Sequence, residues 1–286
     1  MQGCVTPSAN LDNFANQRGF QRSTLRVQGF DLLVYSNGAQ IVSSVKGSVG
    51  TPLAMHVYLE GDGSPWRYRT IVMPDPTPRN PLMLQLMALD EHLSIYLGRP
   101  CYNGSSTDPG CDSRLWTSGR YSSQVVDSMA AAIGVLVKLY RPDEIRLFGH
   151  SGGGAIALLL ASKIPLVTQV VTIAGNLDTD AWTTHHGYTP LYSSLNPAKQ
   201  QPLRPEVNQW HLLGGRDTVI PAQLIKPFVA SQAAASGFMY RGYDHGCCWV
   251  NLWPTVLNAL DSRSTKLLLD AQFKFPEISL GVEGSQ

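Results

Sequence analysis

The chain has 286 residues, 43% of them hydrophobic, which is enough for one large α/β domain with a full core. Its 22 Lys and Arg against 21 Asp and Glu leave a net charge of +1, so neither nucleic acid nor an anionic surface is an expected partner. No Arg/Lys stripe interleaved with aromatics stands out. No apolar run approaches the roughly 20 residues needed to cross a bilayer.

The N-terminus lacks the charged and apolar segments of a signal peptide. Gly3-Cys4 followed by a polar, proline-containing stretch looks instead like the start of a mature bacterial lipoprotein whose signal segment has been trimmed. On that reading Cys4 carries lipid, residues 1–23 form a flexible tether, and the protein sits in the bacterial envelope, periplasmic or membrane-tethered. The alternative is a chance Gly-Cys in a cytoplasmic protein.

From there, strand and helix patterns alternate. Strands are expected over 30–36 and 53–60, a helix over 82–89 and a strand over 93–97. Val126, Met129, Ile133, Leu136 and Tyr140 recur at spacings of three and four, which puts one apolar face on a helix that Pro142 ends. Strands over 144–148, 168–174, 207–213 and 238–243 follow, with helices over 154–161 and 249–260. Such alternation implies an α/β fold, with a mostly parallel sheet covered on both faces and ligands bound beyond the C-terminal ends of its strands. A single domain spans 24–286. Residues 176–205 interrupt the pattern as a cap-like insertion. The loop 100–119 makes another rim.

The cysteines suit export. Cys101 and Cys111 flank a loop rich in turn formers, and a disulfide closing it would stabilise by about 2–3 kcal/mol. The adjacent Cys247 and Cys248 read as two small buried hydrophobes, with a vicinal disulfide as the alternative. No Cys/His set has zinc-ligand spacing, so no metal or organic cofactor is expected.

The most informative segment is Gly149-His150-Ser151-Gly152-Gly153, set between an apolar strand pattern and an apolar helix pattern. In that context a serine is forced into a strained turn with its hydroxyl clear of the sheet. A Gly-rich turn or phosphate loop is the plain alternative. A serine nucleophile needs a base and a group that orients the base. Of seven histidines, His56 and His211 lie within apolar strands, His92 falls at the opposite edge of the sheet, and His150 points away from the serine. His185 and His186 lie in the cap. His245 follows the last strand on the correct edge and is the expected base. Asp217, in the Gly-Gly turn after 207–213, is the expected acid, ahead of Asp178, Asp180 and Asp244. Backbone N–H groups of Gly152 and Asp62 are the expected oxyanion donors.

With these motifs in the order Ser, Asp, His, the chain resembles an α/β-hydrolase from about Phe30 to Leu260. The resemblance covers Gly61-Asp62-Gly63, the pentapeptide around Ser151, Gly215-Arg216-Asp217 and Asp244-His245-Gly246. It implies a Ser151–His245–Asp217 triad, an acyl-serine intermediate and a small-molecule or lipid-like acyl substrate. The family's donor loop often begins His-Gly; here Glu60-Gly61 stands instead, and Glu60 becomes a candidate for substrate choice. Trp66, Trp182 and His185 are further pocket candidates. A carboxylic ester is the expected substrate. Alternatives are peptide or amide cleavage, acyl transfer, and a non-catalytic envelope module on the same fold.

Overall fold

A computed structural model describes residues 6–38, 53–268 and 273–275. The chain opens with helix α1 (Pro7–Gln17). Residues 1–23 were expected to be a flexible tether, and from residue 7 that expectation fails. Thr6 caps the helix by accepting from the Ala9 N–H, Pro7 fits its first turn, and Leu11 and Ala15, four apart, are fully buried. Cys4 lies outside the described residues.

The strands follow as β1 (Gln21–Val27), β2 (Phe30–Ser36), β3 (Ala54–Leu59), β4 (Trp66–Arg67), β5 (Ile71–Val72), β6 (Leu93–Leu97), β7 (Glu144–His150), β8 (Val167–Ile173), β9 (Asn208–Gly214), β10 (Ala235–Tyr240) and β11 (Phe273–Phe275). Nine of them form one sheet in the order β1-β2-β6-β3-β7-β8-β9-β10-β11, and β4 pairs only with β5. Strands β6 to β10 in that order pair in parallel, while β1, β2 and β11 add antiparallel margins.

The parallel strands read as largely apolar runs because both faces are covered, and every residue of β3 is buried. Alternation then divides them between two cores. Met55, Val57 and Leu147 face helices α3 (Ser123–Tyr140), α4 (Gly152–Ala161) and α6 (Ala222–Ala230). Tyr58, Phe148 and Trp210 face α1, α2 (Leu82–Met87) and α7 (Trp249–Asp261). Phe148, with no exposed surface, packs edge-on against Tyr58 and Trp253; truncating such a ring to alanine costs about 3–5 kcal/mol.

Local signals set several boundaries. Ser122 caps α3, and Arg141, left-handed at φ 53°, ends it before Pro142. Strand β10 begins three residues before the expected 238, since Ala235 to Gly237 pair with β9 despite weak strand propensity. The insertion over 176–205 holds helix α5 (Thr179–His186), capped by Asp178.

Candidate active site

The serine turn is built by close approach. Ser151 has φ 52° and ψ −120°, a conformation that costs a residue with a side chain about 1–3 kcal/mol and persists only when its surroundings impose it. They do so through three main-chain bonds: the Ser151 N–H donates to the Ile173 carbonyl, and its own carbonyl accepts from Gly154 and Asn176. A Cβ on Gly153 would stand 2.1 Å from the Leu59 carbonyl oxygen, so β3 and the turn meet at a distance only glycine permits. Ser151 is half-buried and sits at the N-terminus of α4, where N–H groups and the helix dipole favour negative charge.

Asp217 follows β9, and its carboxylate is wholly enclosed. One oxygen accepts from the Val219 and Ile220 N–H groups, both at 2.8 Å. The other lies 2.9 Å from Nδ1 of His245. Facing a carboxylate, Nδ1 is the protonated nitrogen, which leaves Nε2 as the basic one. The His245 ring is 23% exposed. Its neighbour on the other side is His150: their ring centroids are 4.8 Å apart, and Nε2 of His150 donates to the His245 carbonyl at 2.8 Å. His150 is therefore a buttress between the serine turn and the His245 ring. Burial first, then the adjacent His245, pushes its pKa down to about 3, so it stays neutral. Asp244 braces the same loop by accepting from the Gly246 and Cys247 N–H groups. The rival acids are occupied elsewhere: Asp178 caps α5 and binds Asn196, and Asp180 pairs with Lys199.

The loop after β3 carries a group that sequence reading missed. The main chain of this loop lies against the serine turn, with a Cβ on Gly61 reaching within 3.3 Å of Ser151 Cβ. The Asp62 side chain turns inward and accepts from Arg99 at 2.7 Å, Arg120 at 3.0 Å and the Tyr121 hydroxyl at 2.5 Å. Burial alone would raise its pKa, but Arg120 and Arg99 outweigh that and hold it at about 2. Arg99 also donates to the Glu60 carbonyl at 2.8 Å. This cluster is packed against Gly152, where a Cβ would fall 2.0 Å from Asp62 Oδ1. Nothing in the sequence links Asp62 to arginines 37 and 58 residues away. Only the fold brings them together.

Glu60 is buried below the loop, where its carboxylate accepts from the Gly61 and Met83 N–H groups and caps the start of α2. Burial raises its pKa to about 7. Its side chain supports the loop and presents no open face to a substrate. Trp66 lies on the β4–β5 hairpin, 41% exposed, and His185 is exposed on α5. Trp182 and His186, one turn apart on α5, both donate to the Val219 carbonyl, at 3.0 and 2.9 Å, tying the cap to the Asp217 loop. An open cleft of about 500 Å³ within the 176–205 insertion is lined by Thr183, Leu191, Tyr192 and Lys199, and by none of Ser151, Asp217 and His245.

Cys101 and Cys111 form a disulfide, with 5.5 Å between their Cα atoms. Cys247 and Cys248, expected as two small buried hydrophobes, are bridged to each other instead, and Cys247 is exposed. The loop leaving His245 runs over the surface before α7 begins, so it has no interior to bury them in. Among the described residues one set has metal-ligand proximity, His56, Asp90 and His92 at the far end of the strands. Asp90 already accepts four hydrogen bonds there.

No family model matches the chain, and no curated protein sequence is similar to it. Solved structures are. A puromycin hydrolase aligns over 87% of this chain and 39% of its own, with 15% identity and a TM-score of 0.58. An alpha-beta serine hydrolase homologue from Coxiella burnetii aligns over 84% of this chain and 97% of its own, with 13% identity and a TM-score of 0.55. A serine hydrolase without a lid from Xanthomonas campestris aligns over 86% and 95%, with 10% identity and a TM-score of 0.54. The chain spans little more than a third of the first of these and nearly all of the other two. It has the α/β-hydrolase fold.

Proposed function

We propose that this protein is a serine hydrolase that cleaves carboxylic esters through an acyl-serine intermediate. The observation that carries the reading is the 2.9 Å contact of His245 Nδ1 with the enclosed Asp217 carboxylate, on a ring braced against the strained turn of Ser151. Ser151 Oγ attacks the ester carbonyl while Nε2 of His245 takes its proton, and Asp217 stabilises the imidazolium. The oxyanion is received by the Gly152 and Asp62 N–H groups; one such donor is typically worth about 3–4 kcal/mol of barrier. His245 returns the proton to the leaving alkoxide, and water, deprotonated by the same ring, releases the acid.

The test is p-nitrophenyl acetate turnover together with fluorophosphonate labelling. Ser151→Ala is expected to abolish both while circular dichroism stays unchanged; full turnover in the variant refutes the nucleophile. A panel of short-chain esters, long-chain esters and aminoacyl amides ranks the substrate, with faster amide turnover overturning the ester assignment. Envelope anchoring through Cys4 belongs to the same proposal. Mass spectrometry of protein made from the full native gene is expected to find the thiol lipidated, and an unmodified Cys4 sinks it.

A further inference from the structure

The donor loop leads directly into a hairpin that the fold does not explain. Strands β4 and β5 pair as Trp66 with Val72 and Arg67 with Ile71, outside the main sheet. Only Val72 packs against the core. Trp66 is 41%, Tyr68 75% and Ile71 54% exposed, so three of the eight large hydrophobics exposed among the described residues fall within six positions. Arg67 and Arg69 alternate with them, and no acidic residue occurs between Asp62 and Asp75.

The turn itself is costly. Tyr68 and Arg69 are both left-handed, at φ 53° and 63°, in positions that ordinarily take Asn and Gly. An isolated two-stranded hairpin is marginal at best. Here bulky side chains replace the residues that would make it comfortable, and the Tyr68 ring stands largely in water. Arg69 also lies over the Tyr188 ring, 5.3 Å from its centroid, just past the C-terminus of α5. The hairpin thus joins the donor loop to the cap.

We infer that the β4–β5 hairpin docks the protein on an anionic phospholipid surface. Trp and Tyr are the side chains that settle at the headgroup boundary, Ile71 adds apolar area, and the arginines supply the attraction. Arg67 lies over the Tyr68 ring and Arg69 over that of Tyr188, with no carboxylate within the hairpin to neutralise either charge. The overall charge of +1 conceals this, because the hairpin concentrates +2 in six residues. The stretch Trp66-Arg67-Tyr68-Arg69 is too short to stand out as a basic stripe in sequence. The inference is independent of the chemistry at Ser151.

The test is co-sedimentation of the full chain carrying Cys4→Ser, which removes any lipid anchor, with vesicles of phosphatidylcholine alone or mixed with phosphatidylglycerol. Binding is expected only to the mixed vesicles, and added salt should release it. Each arginine is worth about fivefold at such a surface, so Arg67→Gln with Arg69→Gln should lose about 25-fold. Tyr68→Ser with Ile71→Ser should also lose about tenfold or more, given the apolar area removed. Circular dichroism of both double variants, and soluble ester turnover of the Tyr68→Ser, Ile71→Ser variant, should match the parent, which excludes misfolding. Equal binding to both vesicle types, no binding, or variants that bind like the parent overturns the inference. Capture by an insoluble polyester or polysaccharide without vesicle binding overturns it in favour of a polymer surface. A Ser151→Ala chain should sediment as the parent does, so loss of hydrolysis and loss of docking are read separately.

Discussion

The sheet carries two His–Asp pairs, one at each end of its parallel strands, and their contrast defines what makes such a pair a catalytic candidate. At the C-terminal end, His245 meets Asp217 at 2.9 Å. At the N-terminal end, His56 meets Asp90 at 2.6 Å. The pairwise geometry is alike, and the surroundings are not. Asp217 is held by two main-chain N–H groups on one oxygen and offers the other to His245. Asp90 is saturated by His56, Tyr58 and both the ring and main chain of His92, which keep its carboxyl well below the usual range despite burial. His56 has no exposed surface, burial lowers its pKa, and its Nε2 has no partner among the described residues. His245 is partly open and adjoins the serine turn. A carboxylate–imidazole bond is thus equally a structural staple and half of a catalytic device; access and a nearby nucleophile separate the two.

Strand β6 links these ends: His92 precedes it, and Arg99, which holds Asp62, follows it. Substitutions at either end test the contrast. The largest effect is expected for Asp217→Asn, which should lower kcat for p-nitrophenyl acetate by about 10⁴-fold with little change in Tm, by presenting the wrong tautomer. A comparable loss in Asp90→Asn, measured on folded protein, would break the comparison. That variant should instead lose about 3–5 kcal/mol in urea unfolding, the cost of breaking a buried charged network, with kcat retained. Arg99→Met should fall between the two, because it leaves the Asp62 carboxylate short of a partner and loosens the donor loop. Unfolding should show a loss of stability, and kcat should fall more than KM rises. Removing the Cys101–Cys111 bridge as a double alanine variant should cost about 2–3 kcal/mol, readable as a lower urea midpoint that thiol reductant shifts less than it shifts the parent's, since only the Cys247–Cys248 bridge is left to reduce.

The smallest effect concerns pH. His211 is buried with no carboxylate partner among the described residues, contacts Thr172 and Phe228, and has its pKa pushed down by burial to about 3 from 6.5. Below pH 6.5 the unfolded chain binds a proton that the folded ring refuses, so this contribution is full above 6.5 and is lost as pH falls. At about pH 5 the loss should be about 2 kcal/mol. His211→Gln should flatten this acid limb in denaturation curves taken across pH; an unchanged limb would mean that the ring protonates in place. Glu60, raised by burial to about 7 from 4.5, has the opposite sign and lowers stability as pH rises between those values.

Much of the fold was legible from local pattern. The apolar runs of β3, β7 and β8 and the spacing of Val126, Met129, Ile133 and Leu136 announced a covered parallel sheet, because burial on two faces leaves no polar alternation. Helix α1 was missed, since its mean character is polar and only Leu11 and Ala15 are buried. The hairpin β4–β5 was missed because its turn violates the residue preferences by which hairpins are read. Cys247 and Cys248 were misjudged because neighbours in sequence say nothing about exposure.

By itself, the sequence determined the central run of parallel strands and their helices, the serine turn and the identity of the candidate base and acid, because backbone strain, strand patterning and position after a strand are local properties. Tertiary structure alone decided that Asp90 is saturated while Asp217 keeps one oxygen for an imidazole, that Asp62 turns to two distant arginines, and that Glu60 faces inward. Those outcomes depend on burial and on partners tens of residues away. Dielectric surroundings and donor count are properties of the packed chain, and no window of sequence contains them.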